Sequence, residues 1–420
     1  MRIQVSLRFC GKKQPPGRKD AKGRYVRISP VFLHRMKARA LVIFIFLTVK
    51  GICGTDTLLV TQLLQRMAQL QVKQDGVFPK GLFPSYREYQ LNKDRQKADI
   101  NGFFTGLIAF TLRDQLPQLT ATQRELAEQL IRNTQPVYDL FKSKSGKPVY
   151  NFWPTNPPQI FPHSGWMNIF NKKQSLADDM DDTVIILLAM NAPDSTARKI
   201  HALMQAYINP GNRGINSTFK DYRQLGAYST WFGSRMPVEF DVCVLANVLY
   251  FVQRYHLNWT AADSASVEMI EKIISSNKHK TATPFVSAYY GRLPVILYHL
   301  ARLMSVAPIA SLEKLKPKLI ADAQEALLHT NDFMDQVILQ TALMRWGVKP
   351  PAITLETQKS LTDLVEDGHF YFFNASIASL LPDPLRKWIS KAGLVQFTYD
   401  CDAYNNLLLL ENLVLSKNMQ

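Results

Sequence analysis

The chain has 420 residues, 46% of them hydrophobic and 11% aromatic, enough for a large core in one big domain or two ordinary ones. Its formal charge is +16, but +9 of this falls in residues 1–35 and +3 in residues 36–54, which leaves +4 for the remaining 366. The basic character therefore belongs to a leader, and the body carries no surplus that would make nucleic acid its partner.

Residues 1–35 are basic and contain Pro and Gly, the composition of a disordered leader, and Met36 is a candidate true start. The stretch "MKARALVIFIFLTVKGICG" (36–54) has a charged n-region, an apolar h-region from Ala40 to Val49, and small residues at Gly51, Cys53 and Gly54. Ten apolar residues are too few to span a bilayer but suit a secretory signal peptide. The expectation is an exported protein, periplasmic or secreted, whose mature chain begins near Gly54 or Thr55 and carries no integral membrane span. A chain tethered to the membrane by an uncleaved 40–49 segment is the alternative. After cleavage only Cys243 and Cys401 remain, and both a disulfide and two free buried thiols stay open.

From residue 55 onward apolar residues recur at helical spacing, which predicts helices over 56–73, 99–114, 121–142, 179–191, 194–208, 240–254, 260–276, 284–305, 311–329, 331–346, 352–366 and 399–416, and no strand. They alternate in character. Segments such as "TQRELAEQLIRN" and "SASVEMIEKII" carry one apolar stripe, whereas "TVIILLAM", "VCVLANVLYFV" and "NNLLLLENLVL" are apolar nearly all round. A helix with one stripe lies outside and one apolar all round is buried. Six such pairs predict an all-α fold over 55–420, a single (α/α)6 toroid with an inner and an outer ring. Long connections at 74–98, 143–178, 209–239 and 367–398 lead into four of the inner helices and would gather at one mouth of the ring.

The fourth predicted helix opens on "SLADDMDDTVIILLAM" (175–190), which places Asp178, Asp179, Asp181 and Asp182 in five positions. Capping accounts for one acid per helix, and here the first, Asp178, is the expected N-cap. Other inner helices also open on acids or amides: Asp99 and Asn101; Glu239 and Asp241; Asn331, Asp332 and Asp335; Asp400, Asp402 and Asn405. The eighth opens on Tyr289 and Tyr290.

Asp179-Met180-Asp181-Asp182-Thr183 resembles the DxDDT motif of class II terpene cyclases of the squalene–hopene cyclase type, and "DGVFPKGLFPSYREY…DINGFFTGLIAFTL" (75–112) is similar to bacterial proteins with prenyltransferase/squalene-cyclase-like repeats. The resemblance implies an α/α barrel in which Asp181 protonates an alkene or epoxide and starts a carbocation cascade. Crowding by Asp178, Asp179 and Asp182 favours a protonated carboxyl, while the helix N-terminus opposes it.

The same acid could act on a glycosidic oxygen, with Asp241, Asp335 or Asp402 as partner base and loop aromatics as sugar platforms: Phe152, Trp153, His163, Trp166, Trp231, Phe232, Phe370 and Tyr371. Aromatic loops also simply pack down, so both readings stand. Zinc at Asp241, Cys243 and His329, or calcium at Asp178–Asp182, lacks the spacing of an established motif. No GxSxG, HExxH or Walker A occurs, and the sequence asks for no cofactor. His201, His256 and His299 fall within or at the end of helices, where a hydrogen-bonded structural histidine is expected, so His163 and His369 are the better functional candidates.

The expected catalytic set is Asp181, Asp182, Asp179, Asp241 and Asp402, with Trp153, His163, Trp166, Trp231, Tyr289, Tyr290 and Asn405 lining the substrate site. The expected substrate is a small isoprenoid or a carbohydrate. A non-catalytic envelope or secreted binding protein that keeps the barrel is the rival.

Overall fold

The computed structural model describes residues 52–420 apart from 90–91, 158–177, 212–214, 216–217, 234–237, 354–358, 367, 369, 377–387, 389–395 and 420. The leader, the 40–49 segment, His163, Trp166 and His369 lie outside the described residues. No described helix is long and apolar enough to cross a membrane.

In chain order the elements are α1 Ile52–Leu70, β1 Ser85–Tyr89, β2 Asn92–Asp99, α2 Phe103–Gln115, α3 Ala121–Thr134, β3 Asp178–Asp179, α4 Met180–Met190, α5 Asp194–Met204, β4 Trp231–Phe232, α6 Val242–Arg254 and α7 Ala261–Ser275. Two single turns follow, α8 Lys278–Thr281 and α9 Thr283–Val286, then α10 Leu293–Met304, α11 Ala310–His329, α12 Phe333–Arg345, α13 Leu361–Val365, β5 Phe373–Ser376, β6 Gln396–Asp400 and α14 Asp402–Lys417.

The chain is helix-rich but not all-α. A four-stranded antiparallel sheet runs β2-β1-β6-β5, pairing Ser85 with Asp99, Tyr86 with Asp400 and Phe373 with Tyr399. A second, two-stranded sheet sets Asp179 opposite Trp231. These strands shorten two of the expected helices. Asp99 closes β2 and Asp400 closes β6, so α2 and α14 begin only at Phe103 and Asp402. The expected 284–305 helix breaks over Ser287–Arg292, where the chain turns before Pro294 opens α10.

The division into buried and half-buried helices holds. In α2, α4, α6, α10, α12 and α14 nearly every residue is buried. Their contacts run α2 to α4, α4 to α6, α6 to α10, α10 to α12, α12 to α14 and α14 back to α2, so the order closes on itself. Ile185, Leu188, Leu245, Leu249, Leu339 and Leu409 are all in this buried layer. The amphipathic helices pack outside it: α1 against α14, α3 against α2, α7 against α6, and α11 against α10 and α12. Thr120 with Gln123 and Thr260 with Asp263 form capping boxes that start α3 and α7.

Strands and loops close the end where the buried helices begin. β2 feeds α2, β6 feeds α14 and β3 feeds α4. Phe373 of β5 meets Phe103 edge-on at 5.3 Å and stacks on Tyr399 at 4.6 Å, while Phe372 meets Tyr404 at 4.9 Å. Phe370, Phe372 and Phe373 are buried, so this segment plugs the end of the helical layer.

Candidate active site

The four neighbouring acids divide into different jobs. Asp179, not Asp178, is the N-cap of α4: its Oδ1 accepts from the backbone N–H groups of Asp181 and Asp182 at 2.7 and 3.1 Å. The reason is β3, which holds Asp179 in extended backbone one residue later than the local pattern suggests. Asp178 instead accepts from Asn151 at 2.5 Å and Ser143 at 2.8 Å and ties down the preceding loop.

Asp181 turns into the buried layer. Its Oδ1 accepts from Asn247 Nδ2 at 2.6 Å and its Oδ2 accepts from the Tyr290 hydroxyl. Burial pushes the carboxyl up to about 7, with Asp241 adding to the rise; the hydrogen bonds from Tyr290 and Asn247, and the charge of Arg302, hold it down. Burial and then mutual repulsion raise Asp179 and Asp182 well above the usual carboxylate range. Asp182 Oδ1 is buried with no partner among the described residues. Burial and mutual repulsion thus both disfavour ionising the three acids together.

Behind Asp181 lies a polar chain inside the helical layer. Asn247 accepts from the guanidinium of Arg302, which sits over the rings of Phe110, Tyr250 and Tyr298 at 5.3, 5.9 and 5.5 Å. Tyr298 donates to Glu411 at 2.6 Å, and Glu411 also pairs with Arg345. His299, Arg302, Asn247 and Glu411 are all at most 2% exposed. The sequence reading passed over all of them as site residues. The signal was there: a charged residue inside an apolar helix, as in "LPVILYHLARLM" and "NNLLLLENLVL", needs an interior partner because an isolated buried charge is very costly.

The remaining candidates are placed as follows. Asp241 caps α6 through Cys243 and Val244 N–H and also accepts from Ser287 at 2.7 Å and Tyr289 N–H at 2.9 Å. Four donors fix it, although burial still lifts its carboxyl above the ordinary value. Tyr289 donates to Glu239 at 2.6 Å and meets Trp231 edge-on. Trp231 and Trp153 are 5% and 2% exposed and donate to Glu239 and Asp99, so neither offers a face to a sugar. Asp335 is gripped by Arg292 through both oxygens at 2.6 and 2.5 Å. Asn405 and Asp402 sit with other groups: Asn405 donates to Val365 O and Asp400, and the charge of Asp402 acts on Asp400 and Arg66. The structure thus joins Asp179, Asp181, Asp182, Asp241 and Tyr290 but not Asp402 or Asn405.

Cys243 and Cys401 are free and buried. His329 ends α11 at an exposed position, and among the described residues no group of three or more His, Cys, Asp or Glu side chains is arranged to hold a metal ion. What the fold and site define is a helix-rich protein whose buried helices enclose ionisable side chains, among them the carboxyls of Asp179, Asp181 and Asp182. No family model, curated protein or solved structure matches the chain.

Proposed function

We propose that the chain is an exported (α/α)6 toroid, akin to the squalene–hopene cyclase and prenyltransferase-like barrels, in which Asp181 is a general acid acting on an isoprenoid. The carrying observation is the Asp181 carboxyl itself. It lies inside the helical layer, where burial pushes it up to about 7, and is bordered by Tyr290, whose ring meets Phe103 at 6.3 Å and Phe372 at 6.0 Å. A protonated carboxyl next to a tyrosine that belongs to an aromatic cluster suits the formation of a carbocation, which ring quadrupoles stabilise and water would quench.

In that step the Asp181 O–H bond breaks and the proton bonds to one alkene carbon. The π pair makes the new C–H bond, the other carbon becomes cationic, and Asp181 is left as carboxylate. On an epoxide the proton goes to oxygen and the C–O bond opens. Asn247 and Tyr290 stabilise the carboxylate so formed, and Arg302, held through Asn247, lies behind it.

The carbohydrate alternative has less support. Its partner base would have to be Asp241, Asp335 or Asp402. The first two are committed to four donors and to Arg292, the third clusters elsewhere, and Trp153 and Trp231 are turned inward. The rival of a non-catalytic barrel is favoured by burial: Asp181 is 5% exposed and the Tyr290 that contacts it 2%, so a substrate reaches the carboxyl only if side chains around it move.

Incubation with squalene and with linear isoprenoids ending in an alkene or epoxide, followed by product separation, decides between them. Cyclised or isomerised product from the native chain and none from Asp181→Asn is expected. A native chain that leaves every such substrate unchanged would overturn the enzyme reading in favour of the non-catalytic barrel.

A further inference from the structure

The far end of α6 carries a pocket that the acid site does not use. It holds about 300 Å³, at the low end of the range for small-molecule sites. Gln253, on its wall, stands twelve residues along the chain from the cap Asp241, which is about 18 Å at the helical rise. Leu257, Pro308 and Ile309 supply apolar walls, and His256 and Trp259 line it beside them. Gln253 is 8% exposed; its Nε2 donates to Ala307 O at 3.2 Å, while its Oε1 has no partner among the described residues. An acceptor kept without a donor beside apolar side chains is costly, so packing alone does not account for it.

Two neighbours of Gln253 break local rules at the same place. The end of α6 is closed by backbone N–H bonds from His256 to Gln253 O and from Leu257 to Val252 O, with His256 at φ 49°. The same pair of bonds closes α4 at Asn191 and α12 at Gly347, residues that accept left-handed backbone at least cost. Histidine accepts it less readily. Its imidazole is exposed and, against the sequence expectation, makes no hydrogen bond among the described residues. Trp259 precedes Thr260, the N-cap of α7, where an apolar side chain normally packs on the fourth residue of the helix. That residue is Ser264, polar and exposed, and the indole is left 45% exposed.

We infer that this pocket is a binding site for one pyranose ring of a glycan, separate from the Asp181 centre and independent of its chemistry. A sugar with equatorial hydroxyls has a flat C–H face and a rim of O–H groups. The face suits the exposed indole of Trp259, whose N–H is a further donor. The rim suits the Gln253 acceptor and the imidazole of His256, which when neutral offers one donor and one acceptor nitrogen. A hydrocarbon chain would leave Gln253 Oε1 unpaired. A folded protein partner needs a far larger surface than a pocket of about 300 Å³ provides. The site binds the ring without altering it, and would hold the chain to a glycan.

Saturation-transfer NMR of the full chain with cellotetraose and with chitotetraose tests the site, and saturable binding of one or both is expected. Trp259→Ala, at an exposed position, should fold as native and weaken that binding about tenfold. His256→Gly is the sharper variant. Glycine relieves the left-handed backbone, so the variant should melt no lower than native while its affinity falls about tenfold. Native-like affinity in either variant would overturn the site, as would a native chain that binds neither sugar. Phosphatidylcholine vesicles supply the contrast: chain that sediments with them, is released by Trp259→Ala and ignores both sugars would give the pocket to lipid. None of these outcomes depends on turnover at Asp181.

Discussion

The amide of Asn247 donates to Asp181 and accepts from Arg302, so a single neutral side chain separates a buried acid from a buried cation. Direct contact would make an ordinary ion pair and pull the carboxyl down hard. With the amide interposed, Arg302 lowers Asp181 less than burial raises it. Burial is therefore what keeps the acid protonatable, and the Asn247 donor limits the rise.

Replacing Asn247 by Leu removes both hydrogen bonds at similar volume. It leaves Arg302 without its acceptor and Asp181 with one donor fewer, at a cost of about 2–4 kcal/mol. The loss should be larger at pH 8 than at pH 5, because the missing donor stabilised the ionised carboxyl. Urea unfolding at the two values measures it, and a variant within about 0.5 kcal/mol of native at both would show that the bridge does not matter.

Glu411 and Arg345 form a second buried pair, joined by Tyr298. Glu411→Leu strands a buried guanidinium and should cost about 3–5 kcal/mol. The double variant Glu411→Leu, Arg345→Met should recover most of that, since two apolar side chains need no partners. A loss in the double variant equal to the sum of the losses of Glu411→Leu and Arg345→Met alone would mean that the two residues act independently.

Asp179→Asn tests the cap. Asparagine caps as well as aspartate, and the change removes one of three mutually repelling acids. Asp179 is raised in the folded state, so its ionisation opposes folding as pH rises above the ordinary carboxylate value. The variant should match native near pH 4 and exceed it at pH 8. Asp179→Ala, which loses the cap, should cost about 1 kcal/mol at pH 4, where repulsion is absent. Thermal melts of the two variants at both pH values provide the check.

Much of the helical plan could be read from the chain because it rests on local pattern. Buried helices such as Met180–Met190 are apolar all round, and their partners have one stripe, so the alternation survives without any tertiary knowledge. The sheet was not readable. β2 is "NKDRQKAD", polar at every position but Ala98, and has no alternation to betray a strand. It exists because β1 also pairs with β6, three hundred residues away, and no local signal encodes that pairing. The acidic stretch was legible as a cluster but not as a division of labour. Which Asp caps depends on where β3 stops, and β3 forms against Trp231 and Phe232 on one side and Tyr150 on the other, all distant in the chain. The aromatic loops were seen as platforms, yet Trp153 and Trp231 turn inward to donate to Asp99 and Glu239.

Asp181→Asn separates a working acid from a merely buried one. The amide keeps the shape. Its oxygen can accept from Asn247, and its nitrogen can donate to the Tyr290 hydroxyl, so folding survives. The native carboxyl, raised from 3.8 to about 7, contributes stability that is full below pH 4 and lost as the pH rises toward 7. Asp263 and Asp322 work the other way: both are lowered, by His201 and Thr260 and by Lys280 and His279 respectively, and their contribution is lost as the pH falls below 4. Native stability should therefore peak in mildly acidic solution and decline toward pH 8. The Asp181→Asn variant, having no proton to lose there, should decline less, so that the two curves diverge between pH 4 and 7. Denaturant midpoints across that range, measured beside turnover of squalene, give the decision. A variant that is as stable as native at pH 8, or more so, and makes no product identifies Asp181 as the acid. A variant with native turnover removes it from the chemistry, because an amide cannot supply the proton.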